Sequence, residues 1–387
     1  MPLFNQRINK ALELRKAQGL SRSITPLTHS NQSILAASGS SYVNFSSNDY
    51  LGLASDKELI QAWQEGLDTY GVGSGASPLV TGFSRAHQNL ESQLCEWLGF
   101  ERAILFSSGF SANQALVFSL LEQSDTLIQD KLNHASLMEA GMLAPSKMKR
   151  FKHNDVSHLS HLLLQSENTL VVTEGVFSMD GDCAPLNEIS RQCQINDAWL
   201  AVDDAHGIGI HGEQGAGSCS KSGVRPDLLV VTFGKAFGLS GAAIMCSSEV
   251  GDYLTQFARH HVYSTAIPPS QAHALSHACK MIQQQEWRRE KLNELQSIFR
   301  ESLHQLPGYV ETTTPIKPFM CGESSEATHM AEQLKTNKIW CTAIRPPTVP
   351  KDSARLRLTM TTNHSSEQIK QLCKALHQAV EFNIGTH

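Results

Sequence analysis

Short apolar runs recur through the middle of the chain, each followed by glycine, serine or charged residues. They occupy 103–106, 169–173, 199–202, 228–231 and 241–245. Runs of this length that are apolar almost without interruption are typical of strands buried on both faces of a parallel sheet. The ends of the second, third and fourth runs lie about 30 residues apart, close to the length of a strand–helix–strand unit. The pattern therefore predicts an α/β fold with a mostly parallel sheet.

Outside this region the pattern of apolar and polar residues changes, and the chain is predicted to have an N-terminal arm and two domains. Residues 1–47 read as an N-terminal arm, with a helix followed by a polar, turn-rich segment over 21–41. A large α/β domain is expected at 48–285 and a small C-terminal α+β domain at 286–387. One long helix at about 268–306 is expected to cross between them. In the small domain we expect strands at 308–313, 339–344 and 355–360, and helices at 325–337 and 366–382.

Composition narrows the function classes. The 387 residues are 41% hydrophobic and 18% charged with a formal net charge of -5, which gives no basic surface for nucleic acid. Nine scattered cysteines without a CxxC spacing are typical of reduced thiols in the cytoplasm and predict no metal site. No stretch is apolar enough to predict an export signal or a membrane span.

One lysine stands in a setting that favours chemistry. Lys235 lies between glycines in the loop 232–238, directly after the apolar run 228–231. An amine held in an apolar pocket beside other cations loses hydration, so its neutral form can react with a carbonyl group as a Schiff base. The alternative is a solvated lysine at the end of a strand.

Other polar side chains follow neighbouring strands. The strand at 103–106 leads through a Ser107–Phe110 turn into a helix, and a helix N-terminus offers free N–H groups to a phosphate. Asp203 and His206 follow the strand at 199–202, and the carboxyl ends of parallel strands build one site. An anion site, an acid, an imidazole and a reactive lysine are what pyridoxal 5'-phosphate requires.

Several longer motifs carry a resemblance to a known family. The chain resembles the α-oxoamine synthases, pyridoxal-phosphate enzymes of the aspartate-aminotransferase fold (type I). The matching segments follow one another in order over nearly the whole chain: 44–53, 108–115, 133–137, 171–185, 202–206, 232–238, 263–265, 343–350 and 354–359.

The resemblance implies roles for the cofactor-binding residues. Lys235 forms the Schiff base, Asp203 faces the pyridine nitrogen and His134 stacks on the ring. His206 and Ser178 lie beside the ring hydroxyl. The phosphate and its surroundings are contacted by Ser108, Gly109, Phe110 and Thr232, with Thr265 supplied by a neighbouring subunit.

The resemblance also implies a reaction and its substrates. The pattern points to decarboxylative condensation of L-alanine with a pimeloyl thioester, carried by coenzyme A or an acyl carrier protein, in a homodimer with shared active sites. Arg357 and Asn48 would bind the amino-acid carboxylate, His134 would also contact substrate, and Arg22, Arg345 and Thr348 would face the acyl group. At Val80–Phe83 the chain departs from the family, because relatives often carry a tyrosine where Phe83 stands.

Alternatives remain open at this point. Another family member is one: glycine C-acetyltransferase, 5-aminolevulinate synthase or an enzyme for longer acyl chains. Gly207–Gly212 matches the dinucleotide signature of nicotinamide oxidoreductases, but no amphipathic helix is predicted after it. A non-catalytic scaffold is a third alternative.

Asp203 and His206 with His211 form a candidate metal site, and His153, His158 and His161 are predicted to form a solvated face. Arg22 reads equally as a solvated side chain, and Arg345 and Arg357 as structural ion pairs.

Overall fold

The computed structural model describes residues 3–18, 20–29, 31–346 and 348–385. The helices are α1 (Leu3–Ala17), α2 (Lys57–Tyr70), α3 (Arg85–Leu98), α4 (Gly109–Leu120), α5 (Ala135–Leu143), α6 (Val156–Leu163), α7 (Leu186–Ile195), α8 (Gly217–Ser222), α9 (Ser248–Phe257), α10 (Arg259–Val262), α11 (Pro269–Gln284), α12 (Trp287–Leu303), α13 (Ser324–Thr336) and α14 (Ser366–Gly385). The strands are β1 (Ile34–Ala37), β2 (Ser40–Asn44), β3 (Arg102–Phe106), β4 (Thr126–Asp130), β5 (Lys147–Phe151), β6 (Thr169–Glu174), β7 (Trp199–Asp203), β8 (Leu228–Thr232), β9 (Ala242–Cys246), β10 (Ile316–Gly322), β11 (Ile339–Trp340), β12 (Thr342–Ile344) and β13 (Ala354–Thr359).

A seven-stranded sheet forms the centre of the molecule, with strand order β3-β9-β8-β7-β6-β4-β5. Neighbouring pairs among β4 to β8 are parallel, and β9 runs antiparallel to both β8 and β3. The central strands β6 and β8 are buried at every residue, because helices cover both faces. The predicted α/β fold is therefore confirmed, including each of the five predicted strands.

The parallel register brings strand ends together. Glu174 at the end of β6 pairs with Asp203 at the end of β7, and β8 ends beside them at Thr232. Lys235 follows three residues later. Polar side chains that the chain separates by tens of residues thus lie at one edge of the sheet.

Two strands of this sheet have no counterpart in the sequence prediction. The sequence of β4 ends in Gln129 and Asp130, and β5 reads Lys-Met-Lys-Arg-Phe. β5 pairs with β4 alone and lies at the sheet edge, where only Phe151 is buried, so its other side chains need not be apolar.

The N-terminal segment over 21–41 contains a hairpin, which the prediction of a turn-rich segment missed. β1 pairs with β2, and β11 from the C-terminal part adds to β2 in parallel. The two strands are only four and five residues long, and β2 gains β11 as a partner from more than 290 residues away, so no local pattern marks them.

The predicted single helix over 268–306 was wrong, because it is two helices, α11 and α12. Arg288 Nε donates to the side chain of Gln285 at 2.7 Å, and Arg289 Nη1 donates across the break to the carbonyl oxygen of Ile282 in α11 at 2.7 Å. Arg288 also donates to the carbonyl oxygen of Leu51 at 2.7 Å. Side-chain hydrogen bonds therefore stabilise a bend that helical periodicity does not reveal.

The C-terminal part packs α13 against a second sheet of order β10-β13-β12, and α14 packs on α12 and α13. The strand predicted at 308–313 was wrong: Tyr309 forms an isolated bridge to Phe319, and the strand lies at β10. The polar turn before β10 is stabilised by Thr312, whose hydroxyl donates to the carbonyl oxygen of Ile316 at 2.8 Å. The predicted strand at 339–344 divides into β11 and β12, which join different sheets. The division into domains at 48–285 and 286–387 stays a prediction.

Membrane spans were sought among the helices that the structure describes. None of them has both the length and the apolar character needed to cross a bilayer.

We expect the conformation of the Lys235 loop to require glycine at position 238. Gly238 has φ +69°, and a Cβ there would lie 2.3 Å from the backbone nitrogen of Ala54. Gly238→Ala should lower the free energy of unfolding by about 2–4 kcal/mol, because backbone strain adds to a steric clash. Gly223→Ala is the matched control, since φ is +63° and the added Cβ would meet open space. Thermal denaturation should show the larger loss for Gly238→Ala, and equal losses would contradict the clash.

Candidate active site

A cavity of about 330 Å³ opens at the carboxyl edge of the large sheet. Nine residues predicted from the sequence line it: Asn48, Ser108, Gly109, Phe110, His134, Asp203, His206, Thr232 and Lys235. The cavity also contains polar residues that the predicted site did not include, among them Asn113, Ser136 and Glu174. The structure therefore brings most of the predicted cofactor site into one place.

An anion site lies at the start of α4. Ser108 caps this helix and accepts a hydrogen bond from the Ser111 N–H at 3.1 Å, so the N–H groups of Gly109 and Phe110 occupy its open first turn. A Cβ on Gly109 would lie 2.6 Å from the Thr232 Cγ2 atom. Thr232 Oγ1 is buried and has no hydrogen-bond partner within the described residues. A phosphate that reaches this hydroxyl would supply its missing partner.

Asp203 is a buried carboxylate at the end of β7. Its Oδ2 accepts from Asn113 Nδ2 at 2.7 Å, and its Oδ1 accepts from the Ala205 N–H at 3.0 Å. Both donors are neutral, so a cationic ring nitrogen at this carboxylate would complete its charge balance. Asn113 also donates to Ser136 Oγ at 2.9 Å, which links the acid to α5.

His134 caps α5 and lines the cavity. Its Nδ1 lies 2.8 Å from Ser136 Oγ, and its backbone N–H donates to Glu174 Oε1 at 2.5 Å. Burial lowers the pKa of the His134 ring, although the Asp203 charge opposes this. The imidazole is therefore favoured in its neutral form, which suits stacking against an aromatic ring.

Glu174 is a cavity residue that sequence reasoning passed over. Burial raises the pKa of this carboxyl well above its usual range, and the neighbouring charge of Asp203 raises it further. The raised pKa thus favours the neutral acid form of this side chain beside Asp203. Its only sequence signal is its place at the end of the apolar run at 169–173, next to the strand that delivers Asp203.

Burial also acts on Lys235 and His206. It lowers the pKa of the Lys235 amine, while the charges of Asp203 and Glu174 oppose the shift. It holds the pKa of His206 well below its usual range, with further contributions from the positive charges of Lys235 and Arg357. His206 is therefore a neutral imidazole, and its Nδ1 lies 2.7 Å from the Tyr50 hydroxyl oxygen.

Arg357 lies beside the cavity on β13 and is buried. Both of its terminal nitrogens donate to Asn48 Oδ1 at 3.1 Å, and its Nε donates to the carbonyl oxygen of Ser178 at 2.6 Å. Asn48 lines the cavity, so the guanidinium is placed where it can share its fork with a substrate carboxylate.

The other predicted residues lie around this centre. Ser178 contacts Arg357 through its backbone, and Thr265 lines a separate, smaller cavity that shares Ser107 with the first. Arg22, Arg345 and Thr348 line a third cavity of about 290 Å³ together with Arg15. Among the described residues, the first and third cavities share no lining residue. The predicted acyl-site residues are thus gathered, but apart from the cofactor site.

The structure also bears on the candidate metal site, the glycine motif at 207–212 and the histidine face. No group of three His, Cys, Asp or Glu side chains in the described part of the chain is arranged to hold a metal ion. The glycine motif at 207–212 forms turns, and only the six-residue α8 follows it. The predicted solvated face was wrong for His153, because its ring lies between Asp130 and Asp182. These carboxylates come from β4 and from the loop after β6, which the sequence does not place nearby.

The cavity fits pyridoxal 5'-phosphate. It offers an anion site with an unpaired buried hydroxyl, a buried acid with neutral partners and a lysine whose amine is destabilised as a cation. The combination, rather than any single group, defines a pyridoxal-phosphate enzyme.

Comparisons with known proteins support the assignment to pyridoxal-phosphate enzymes. The sequence model of the family described as aminotransferase class I and II matches residues 40–376. The chain belongs to this family, and its cofactor is pyridoxal 5'-phosphate.

Similar relatives indicate a narrower group within this family. 8-Amino-7-oxononanoate synthase of Vibrio atlanticus (strain LGP32) is 68% identical over 381 residues, which cover 98% of this chain and 94% of the relative. The Vibrio cholerae enzyme of the same name is 62% identical over 378 residues, covering 98% of each chain. The resemblance to α-oxoamine synthases is therefore confirmed.

Solved structures show the same fold. Serine palmitoyltransferase of Sphingomonas wittichii has a TM-score of 0.89 at 28% identity, covering 98% of this chain and 97% of that one. 8-Amino-7-oxononanoate synthase of Francisella tularensis has a TM-score of 0.78 at 29% identity, covering 89% and 99%.

We expect Thr232→Val to separate cofactor binding from stability. The change removes a buried hydroxyl without a protein partner, so the apoprotein should be at least as stable as the wild type. The dissociation constant for pyridoxal 5'-phosphate should rise roughly 5- to 20-fold, because the phosphate loses a donor. Thr362→Val is the control, since its hydroxyl is also buried and has no partner in the described part of the chain, but does not line the cavity. Equal cofactor affinity in wild type and Thr232→Val would remove Thr232 from the site.

Proposed function

We propose that this protein condenses L-alanine with a pimeloyl thioester to give 8-amino-7-oxononanoate, carbon dioxide and free thiol. The thioester is carried by coenzyme A or an acyl carrier protein, and the product serves biotin biosynthesis. Near-full-length similarity to synthases of that name carries this proposal. The cavity supports it, because it holds the groups that an acyltransferase of this kind needs around an amino acid.

Most of the residues that would hold the cofactor line the cavity. When bound, pyridoxal 5'-phosphate supplies an electron sink for negative charge on the amino-acid α-carbon. Lys235 would hold its aldehyde, Asp203 its ring nitrogen and His134 its ring face. His206 and Ser178 would lie beside the ring hydroxyl. The phosphate would be held by Ser108, Gly109, Phe110 and Thr232, with the partner subunit's Thr265.

Lys235 is also the residue that we assign to proton transfer. Burial lowers the pKa of its amine, which raises the share of neutral amine near pH 7. The neutral nitrogen takes the proton from the Cα atom of alanine and returns a proton after carbon dioxide has left. A positioned general base of this kind contributes about 100- to 10,000-fold in rate.

Arg357 and Asn48 bind the alanine carboxylate. The guanidinium is already oriented by the Ser178 carbonyl, so little side-chain entropy is lost on binding. The acyl thioester lies towards Arg22, Arg345 and Thr348, whose shared cavity offers cationic groups for a carboxylate or phosphate. His134 contacts the substrate from the cofactor side.

We also propose a cytoplasmic homodimer with shared active sites. No described residue of α1 is buried, and Leu3, Phe4, Leu12 and Leu14 are each more than half exposed. Such a helix gains stability by packing on a second subunit. All nine cysteines are free thiols, which fits a reducing compartment.

Substrate choice tests the proposed function directly. Release of free thiol should be at least about 100-fold more efficient in kcat/KM with L-alanine and a pimeloyl thioester than with glycine and an acetyl thioester. Product identity is checked by mass spectrometry. A preference for glycine with the short acyl donor would assign the chain to another activity of the family.

The Lys235 assignment has its own test. The holoenzyme should absorb at about 420 nm, and borohydride should abolish this band by fixing the cofactor to the chain. In Lys235→Ala neither the band nor covalent fixation should appear, and turnover should fall by about 1,000-fold or more. Lys221→Ala, at an exposed position on α8, should behave as wild type. Covalent fixation that survives in Lys235→Ala would refute the assignment.

A further inference from the structure

The loop over 176–183 connects the large sheet to Arg357. It leaves the end of β6 and closes through a bridge between Val176 and Cys183, with the Phe177 N–H donating to the Asp182 carbonyl at 2.9 Å. At its tip the carbonyl oxygen of Ser178 accepts from Arg357 Nε at 2.6 Å. The position of this loop therefore decides where one side of the guanidinium is held.

The C-terminal part of the chain holds one side of the loop. Asp180 forms an ion pair with Arg355, two residues from Arg357 on β13. The carbonyl oxygen of Gly181 accepts from Thr314 Oγ1 at 2.8 Å. These contacts tie the loop to the second sheet, which carries Arg357.

His153 contacts the other side of the loop over 176–183. Its Nε2 lies 2.7 Å from Asp182 Oδ2 and its Nδ1 lies 3.0 Å from Asp130 Oδ1 at the end of β4. The ring packs edge to face on Phe177 with a centroid distance of 4.4 Å. Asn154 supports the same pair, donating its Nδ2 to Asp182 Oδ2 and its backbone N–H to Asp130 Oδ2, both at 2.9 Å.

The geometry around His153 favours a charged ring. Each ring nitrogen faces a carboxylate oxygen, and a neutral imidazole has only one N–H to donate. Burial lowers the pKa of His153, but the hydrogen bonds and charges of Asp130 and Asp182 outweigh it and raise the pKa to about 9. Both charged groups that the structure places against the ring are thus carboxylates, one from β4 and one from the loop.

We propose that His153 is a positioning residue for the amino-acid substrate: clamped between Asp130 and Asp182, it fixes the 176–183 loop, whose Ser178 carbonyl aims Arg357 at the substrate carboxylate. The proposal rests on the carboxylate-binding role of Arg357 in the proposed function. It assigns to His153 an effect on amino-acid binding, transmitted through the loop, and no contact with substrate or cofactor.

The test compares two ligands on the holoenzyme. Dissociation constants for L-alanine and for ethylamine, which lacks the carboxylate, are measured from the change in cofactor absorbance without an acyl donor. In His153→Gln the constant for L-alanine should rise roughly 5- to 20-fold, while that for ethylamine stays within about two-fold. Asp182→Asn should reproduce this selectivity with a second variant. His161→Gln, an exposed histidine on α6, is the control and should leave both constants unchanged.

Turnover adds a second readout. KM for L-alanine should follow the dissociation constant, and kcat should change by less than about two-fold, because the reacting groups are not touched. Equal affinity for L-alanine in wild type and His153→Gln, or equal weakening for both ligands, would overturn the proposal. Failure of the wild type to use a pimeloyl thioester would instead reject the proposed function, since the ligand test needs no acyl donor.

The pH dependence has a defined sign. The difference in L-alanine affinity between wild type and His153→Gln should be full below pH 8 and should vanish as the pH rises through about 9, where the ring loses its proton. The free energy of unfolding also falls as the pH rises, because the pKa of His153 is raised in the folded state. The contribution of the imidazolium is fully present below about 6.5, declines above it and is lost once the pH exceeds about 9. A difference in affinity that persists unchanged above pH 10 would contradict the clamp.

Discussion

The burial of two carboxyl groups and an amine in one cavity is the constraint around which this structure is built. Glu174 and Asp203 end adjacent parallel strands in register, and Lys235 reaches the same space from the next strand. Charged groups so close together and so far from water are stable only when each is paired or neutral. The raised pKa of the Glu174 carboxyl lessens like-charge repulsion beside Asp203, and the neutral donors around Asp203 leave room for a cationic ring nitrogen.

A connected set of hydrogen bonds supports this arrangement. Asn113 on α4 contacts both Asp203 and Ser136, and Ser136 lies beside the His134 ring. The His134 backbone in turn donates to Glu174. The anion site, the acid and the stacking imidazole are therefore parts of one rigid assembly, which lowers the reorganisation needed when substrate binds.

The second sheet contributes the substrate side of the site. Arg357 reaches the cavity from β13 and meets Asn48 from the segment before α2. The loop over 176–183 touches both sheets, so the distance between cofactor and carboxylate depends on contacts outside the cavity. Residues without a chemical role can thus influence binding, as the clamp around His153 illustrates.

The sequence alone determined the architecture and most of the chemistry of the cofactor site. The central strands were predictable because burial on both faces leaves uninterrupted apolar runs, and Lys235, Asp203 and the Ser108–Phe110 turn follow those runs directly. The long motifs shared with the α-oxoamine synthases then indicated the class of reaction. Local pattern and motif suffice for such features because neighbouring residues carry the signal.

Only the tertiary structure decided which distant groups meet. β5 is a polar strand and β1 and β2 are short strands, and their partners stabilise all three. The break between α11 and α12 depends on arginine side chains that bridge it. Glu174 became a site residue through its register with Asp203, and His153 became a clamp through carboxylates 23 and 29 residues away. The pKa and the partner of a side chain are properties of its surroundings in space, and no local pattern along the chain specifies them.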